Sequence, residues 1–385
     1  MKFAHLADCH VGGWKEENLK ELTIQSFERA IEISINEKVD FVLISGDLFD
    51  NAMPPIDILK RTTHALRLLK ENNIPVYVIH GSHDYSISGK TMLDVLEKAG
   101  LIENVYKITE NKLEFTKYKD IKITGLIGKR NSLEIEDFQN LNLKELESEP
   151  GFKIFMFHTG IEEFKPTDLK EIKCTSLGLF PKNFNYYAGG HIHYIFNTKF
   201  SDGLLVYPGP LYPNNIKELE QMKHGGFYIV NVGDDIVLDY RDIKIKEVQT
   251  FNFRVDNKTQ EEIQNLIIEN VKEAENKIII LRIEGKMKGQ PSQIDFKKVY
   301  SNINNAYVIL KATSKLEGDQ FKALEVNIDD SKDIETSIIR NYKELDEELL
   351  KKLIQVLDKE KDEGERVSDF ESTIIKENTN VLGLE

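Results

Sequence analysis

The chain is short of cysteine, of long apolar runs and of positive charge, and each shortage excludes something. Only Cys9 and Cys174 occur in 385 residues. Two thiols cannot build a disulfide framework or a four-thiolate zinc site, so a reducing compartment is expected. No stretch approaches the ~20 apolar residues of a membrane span. The opening MKFAHLAD has no apolar core of a signal peptide. The expected location is therefore cytoplasmic, away from any membrane. Lys and Arg number 51 against 65 Asp and Glu, a formal net charge of −14. That argues against broad electrostatic adhesion to nucleic acid. It leaves room for a local basic groove, and for bound cations that lower the negative charge of acidic ligands. No internal repeat is present.

What is there is a globular composition, 40% hydrophobic and 30% charged, at a length that calls for two or three domains. Up to about Lys246 apolar runs alternate with helical patterns. Residues 3–7, 41–45, 76–80, 154–158 and 186–190 each read as a buried strand ending in small or polar residues. Helical patterns cover 19–37, 56–71 and 91–98. Segments 196–200, 204–207, 226–232 and 236–241 read as antiparallel strands. The expected class is α/β, with a mixed sheet or two packed sheets flanked by helices. From 248 to about 312 the pattern becomes strand, helix, strand, helix, strand: a small α+β unit. Beyond about Lys332, Ile334, Ile338, Tyr342, Leu345, Leu349, Leu353 and Leu357 recur at helical spacing. After Gly364 a second amphipathic stretch holds Val367, Phe370, Ile374 and Ile375. The expected division is 1–247, 248–314 and 315–385.

Five short segments hold nearly all the chemistry: Asp8-Cys9-His10, Gly46-Asp47, Gly81-Ser82-His83-Asp84, His158 and Gly190-His191-Ile192-His193. All lie at or just beyond the C-terminal ends of expected strands, where ligands gather in α/β sheets. Carboxylate and imidazole together suit divalent transition metals. Strand alternation would aim Asp8 and His10 to one side, and likewise His191 and His193. Asp47 follows an unhindered glycine and can bridge two cations. Cys9 reads as a buried spacer turned away from them. Taken singly, each residue is more often structural; as an ordered set at strand ends they point to a metal centre. Two cations about 3.5–4 Å apart would activate water and clamp phosphate oxygens. Asp84 or Asp50 could orient His83, although a carboxylate in a turn or cap has the same sequence signature.

The ordered set resembles the calcineurin-like metallophosphoesterase superfamily, D-x-H, G-D, G-N-H-[D/E], H and G-H-x-H. The resemblance implies that Asp8, His10, Asp47 and His193 hold one metal. It implies that Asp47, the third-motif residue, His158 and His191 hold the other, and that His83 acts on the leaving group or the phosphate. One departure stands out: the family has Asn where this chain has Ser82, a shorter and weaker ligand.

FAHLADCHVG, Gly46-Asp47-Leu48-Phe49-Asp50 and Tyr207-Pro208-Gly209 further resemble the nuclease subunit of the double-strand-break repair complex, SbcD-type. Pro210 stands where that group has Ser. This resemblance implies two Mn²⁺ per chain, with 3′→5′ exonuclease and single-strand endonuclease action on duplex ends, hairpins and single strands. It implies a DNA-binding cap domain, C-terminal helices that dock on a coiled-coil ABC-type ATPase, and a homodimer formed through helices such as 56–69. It also implies a nucleoid-associated protein of archaeal or bacterial type. Lys15, Lys129, Arg130 and Asn131 are candidate DNA contacts, although most surface lysines are merely solvated. The competing readings are a phosphatase or phosphodiesterase acting on a non-DNA ester, and a weakly active scaffold, which Ser82 favours.

Overall fold

A computed structural model describes residues 1–86, 89–110, 112–165, 173–303, 305–319, 349, 352–353, 356–357 and 367–382. Two six-stranded sheets form its larger part. The first orders its strands Ile236–Ile243, Gly225–Val232, Lys2–Leu6, Phe41–Ser45, Val76–Ile79 and Glu103–Asn104. The last four run parallel, and the first two join antiparallel. The second sheet orders Phe196–Phe200, Gly203–Tyr207, Tyr186–Gly190, Phe152–His158, Ile121–Gly125 and Thr116–Tyr118. Its middle four strands are parallel and its edges antiparallel. Gly203–Tyr207 thus pairs antiparallel with only one of its two neighbours.

The sheets pack face to face because their strands are apolar on both sides. Side chains alternate along a strand, so Phe3, Phe41, Leu43, Ile154 and Met156 fill the space between the sheets. Ala4, Leu6, Val42 and Ile44 turn outward, under the helices Glu17–Asn36 and Ile56–Glu71. Phe155, Phe157, Tyr187 and Tyr207 turn outward on the other side, against Phe138, Phe180 and Phe184. The expected sandwich of mixed sheets flanked by helices is what forms. Short strands between 103 and 118 and the helices Glu134–Asn140, Leu143–Ser148 and Ile216–Met222 carry no strong periodicity and are found only here.

A third sheet follows, all parallel: Val248–Arg254, Ile278–Met287, Val308–Ala312 and Leu316–Gly318. One face packs on the helices Gln260–Asn270 and Phe296–Asn302, through Ile263, Ile267, Ile279, Leu281 and Val299. The second of these helices starts only at Phe296, because Pro291–Gln293 before it forms a separate 3₁₀ turn. The other face, Val248, Ile278, Ile280 and Val308, packs on Leu19, Leu22, Tyr212 and Leu219. A C-terminal helix spans Val367–Leu382, with Ile375 exposed. Most of the amphipathic stripe expected before it lies outside the described residues. Among the described residues no helix is long and apolar enough to cross a membrane.

Candidate metal centre

The parallel strands of both sheets end on one rim. Gly190 pairs with His158, Leu6 with Ile44, and Ser45 with Ile79. The loops leaving that rim therefore meet. Asp8 and His10 lie beyond the end of their strand, at φ of 48° and 40°; Asp47 sits at 51° and His191 at 90°. Strand alternation is thus not what aims these residues together, because the backbone has already left the strand and turned left-handed. Each such conformation costs on the order of 1 kcal/mol or more. Loop-to-loop bonds hold them: His10 N donates to Asp47 O at 3.0 Å and Val11 N to Leu48 O at 2.9 Å. Two glycines let the loops close. A Cβ on Gly46 would stand 2.2 Å from His158 Nδ1, and one on Gly81 2.1 Å from Asp47 Oδ1.

Asp8, Asp47, His10 and His158 are buried. Ligand atoms of Asp8, His10 and His193 lie within 4.8 Å of one another, as do those of Asp8, Asp47 and His158 and those of His10, Asp50 and His83. Asp47 Oδ2 is 3.1 Å from His158 Nε2 and 3.7 Å from His10 Nε2, so one carboxylate faces both sides of the cluster. His10 Nε2 and His193 Nε2 stand 3.2 Å apart. The His191 and His158 rings meet at 5.1 Å between centroids, and the His191 amide donates to Asp8. Ser82 Oγ is 3.5 Å from Asp47 Oδ2, so Ser82 faces the same space.

Partners behind the rings decide which nitrogen faces the cluster. His158 Nδ1 donates to Ser45 O at 2.8 Å, and His193 Nδ1 donates to Glu218 Oε1 at 3.1 Å. Both rings therefore turn Nε2 inward. His10 Nδ1 is buried without a hydrogen-bond partner, and the nearest carboxylate oxygen, Asp50 Oδ1, is 3.3 Å away. His83 Nδ1 donates to Asp50 O at 2.8 Å, so Asp50 stands behind His83. Asp84 does not: its carboxylate accepts the amides of Leu48, Phe49 and Gly81 and ties two loops together. The bundled imidazoles and carboxylates, with His10 Nε2 turned toward Asp47 and His193, fit divalent transition metals.

Electrostatics match. Burial opposes charge on His158, but the Asp47 carboxylate outweighs it and lifts the pKa to about 10. His193 is lifted to about 9 against burial by Glu218 and Asp8. His191, buried beside His158, falls to about 3. The His10 ring beside Asp50 holds that carboxyl below its usual range. Burial, with Asp47 nearby, pushes Asp84 up to about 7.

Of the candidate DNA contacts, Lys15, Arg130 and Asn131 are exposed. Lys129 is engaged by Asp137, with Nζ 2.6 Å from Oδ2. Cys9 is fully buried in the core under the helices, as its spacer reading requires. Glu218 lies outside the five motif segments. Its signal was Asn215-x-x-Glu218, a helix-start pattern in which Asn215 caps the helix Ile216–Met222.

The family model for calcineurin-like phosphoesterases matches residues 1–194. The DNA double-strand break repair protein Mre11 of Methanocaldococcus jannaschii is 32% identical over 341 residues, 86% of each chain. The protein of that name from Methanococcus maripaludis is 31% identical, over 71% of this chain and 76% of its own. The chain belongs to the calcineurin-like phosphoesterase family, within its Mre11 group. Mre11 of Sulfolobus acidocaldarius is 26% identical over 93% of this chain and 100% of its own length. A solved dimetal phosphatase from Danio rerio aligns with a TM-score of 0.42 at 12% identity, over 63% of this chain and 96% of its own. Family membership makes this chain a metal-dependent phosphoesterase, and the rim cluster is its candidate metal centre.

Proposed function

We propose that the chain is a two-metal DNA nuclease of double-strand-break repair. The observation that carries this reading is Asp47, whose one carboxylate faces His10 on one side and His158 on the other. Asp8, His10, Asp47 and His193 would hold one ion; Asp47, Ser82, His158 and His191 would hold the other. Manganese is the proposed metal. Bound divalent cations supply Lewis-acid polarisation of the phosphoryl group and lower the pKa of water. Relatives named for double-strand break repair, aligned over most of this chain, support DNA as the substrate. The proposed actions are 3′→5′ exonuclease and single-strand endonuclease cleavage.

His83 is the proposed catalytic residue. Its Nδ1–H is committed to the Asp50 carbonyl. Its Nε2 is left to carry a proton toward the leaving oxygen, and giving up that proton returns the neutral Nδ1–H tautomer. The half-exposed ring suits a residue that must reach substrate.

The division into 1–247 for catalysis, 248–314 as a DNA-binding cap and 315–385 as helices for a coiled-coil ABC-type ATPase belongs to the same proposal. So does a homodimer through residues 56–69, where Ile56 is exposed while Ile58, Ala65 and Leu69 are buried. Lys15, Arg130 and Asn131 are the stronger candidates for phosphate contact, because Asp137 already occupies Lys129.

The test is DNA hydrolysis with and without manganese in the parent, Ser82→Asn and His83→Ala. The parent should cleave only with manganese. Ser82→Asn should need less of it, and His83→Ala should lose about 100-fold or more in rate while binding manganese as the parent does. No manganese-stimulated cleavage by parent or Ser82→Asn would end the nuclease reading.

A further inference from the structure

The seven-residue helix Ile216–Met222 stands between the ligand cluster and the third sheet. Residues of an α-helix turn by about 100° each, so Glu218 and Glu220 point roughly 200° apart. Glu218 accepts from His193 Nδ1 at 3.1 Å through Oε1, and from the Asn214 amide at 2.8 Å through Oε2. Glu220 faces the other way and receives a two-point contact from Arg282, on the third-sheet strand Ile278–Met287. Arg282 Nε donates to Oε1 at 3.1 Å, and Nη2 donates to Oε2. Leu219, between them, is fully buried against Val248, Ile278, Ile280 and Val308 of that sheet. The Asn215 side chain accepts the Glu218 amide at 2.9 Å and closes the start of the helix.

The helix is tied on both sides, by Glu218 to His193 and by Glu220 and Leu219 to the third sheet. A shift of the third sheet would pull on Glu220 and Leu219, and the same helical turn carries Glu218. A carboxylate behind a metal-binding imidazole fixes the ring's direction and raises its basicity. Here it aims His193 Nε2 at His10 and to within 3.8 Å of Asp8.

We infer that Glu218 is the positioning residue for His193, and that the third sheet sets its placement through the Glu220–Arg282 pair. Seating of the third sheet and filling of the ion position beside His193 then form one coupled equilibrium. The coupling is reciprocal: whatever moves the sheet changes ion affinity, and the ion tightens the sheet by the same factor. This inference rests on the metal-centre reading above.

The test is manganese titration calorimetry on the full chain, parent and variants, with thermal melting of each metal-free form alongside. The variants are Glu218→Gln, Glu220→Gln, Arg282→Ala, the double variant Glu218→Gln with Arg282→Ala, and the exchanged pair Glu220→Arg with Arg282→Glu. Glu218→Gln should weaken one ion by about 10–100-fold, the usual size for a partner behind a metal ligand; Arg282→Ala should weaken the same ion by a smaller factor, and both should leave the other ion largely unchanged. Glu220→Gln should weaken the same ion by less. The exchanged pair should recover most of the loss, and Arg282→Ala added to Glu218→Gln should cost little more, because both act on one path. Arg282→Ala and Glu220→Gln binding both ions as the parent does would overturn the coupling while leaving the nuclease reading intact. So would an Arg282→Ala loss that the exchanged pair does not recover. A parent that binds no manganese would instead remove the metal-centre reading, and this inference with it.

Discussion

At the scale of single residues, the cluster is a competition between protons and cations. In the metal-free chain His158 and His193 are lifted to about 10 and about 9 and hold protons at neutral pH, while their ligand form is unprotonated. Filling both positions must expel those protons, one from each, so the affinity for each ion rises with pH by up to about one log unit per pH unit and levels off toward pH 9–10. Calorimetry in buffers of different ionisation enthalpy should count about two protons released at pH 7. Space is as tight as charge. Gly81→Ala would set a methyl 2.1 Å from Asp47 Oδ1. It should abolish high-affinity manganese binding and cost about 1–3 kcal/mol of stability, read by calorimetry and denaturant titration.

At the scale of elements, Asp84 joins the loop after Phe41–Ser45 to the loop after Val76–Ile79. Its carboxylate takes amides at 3.0 Å from Leu48 and Phe49 and at 3.2 Å from Gly81. One loop carries Asp47 and the other carries Ser82 and His83, so this buried acid keeps them in register. Asp84→Ala leaves these amides without a partner, at about 1–3 kcal/mol for each that water cannot reach. The expected outcome is a lower melting temperature together with loss of manganese binding, whereas Asp84→Asn, which keeps an acceptor, should retain part of both.

At the scale of the molecule, the third sheet is not a detachable accessory. Leu22, Tyr212 and Leu219 share one core with Ile278, Ile280 and Val308. Ending the chain near Lys246 would remove the last three and expose Tyr212 together with Leu22 and Leu219, the two leucines each worth about 1.5–3 kcal/mol of burial. Such a truncation should melt roughly 10 °C or more below the full chain and associate in solution, checked by calorimetry and light scattering. Loss of DNA cleavage in a truncated chain would therefore mix two causes, and substitutions in the intact chain are the cleaner probe of what the sheet contributes. The net charge of −14 bears on the same question. An acidic chain draws little from broad electrostatic adhesion to DNA, so a shallow salt dependence of DNA affinity is expected.

The sequence by itself determined the strands that are apolar on both faces, the helices that cover them, and the order of the chemistry-bearing segments. Phe41–Ser45, Tyr186–Gly190 and Ile56–Glu71 are legible because long periodic runs and their end signals are local properties. Asp8, His10, Asp47, His83, His158, His191 and His193 are legible because their residue types recur at strand ends in a known order. Glu134–Asn140 and Ile216–Met222 were not legible, since short helices owe their stability to neighbours more than to their own pattern. Only the tertiary structure decided that left-handed loop backbone, and not strand alternation, aims the ligands. It alone decided that Asp50 stands behind His83 while Asp84 ties loops, and that Glu218 stands behind His193. Each of these depends on residues far apart in the chain meeting at a few ångströms, and such distances are set by how the sheets pack.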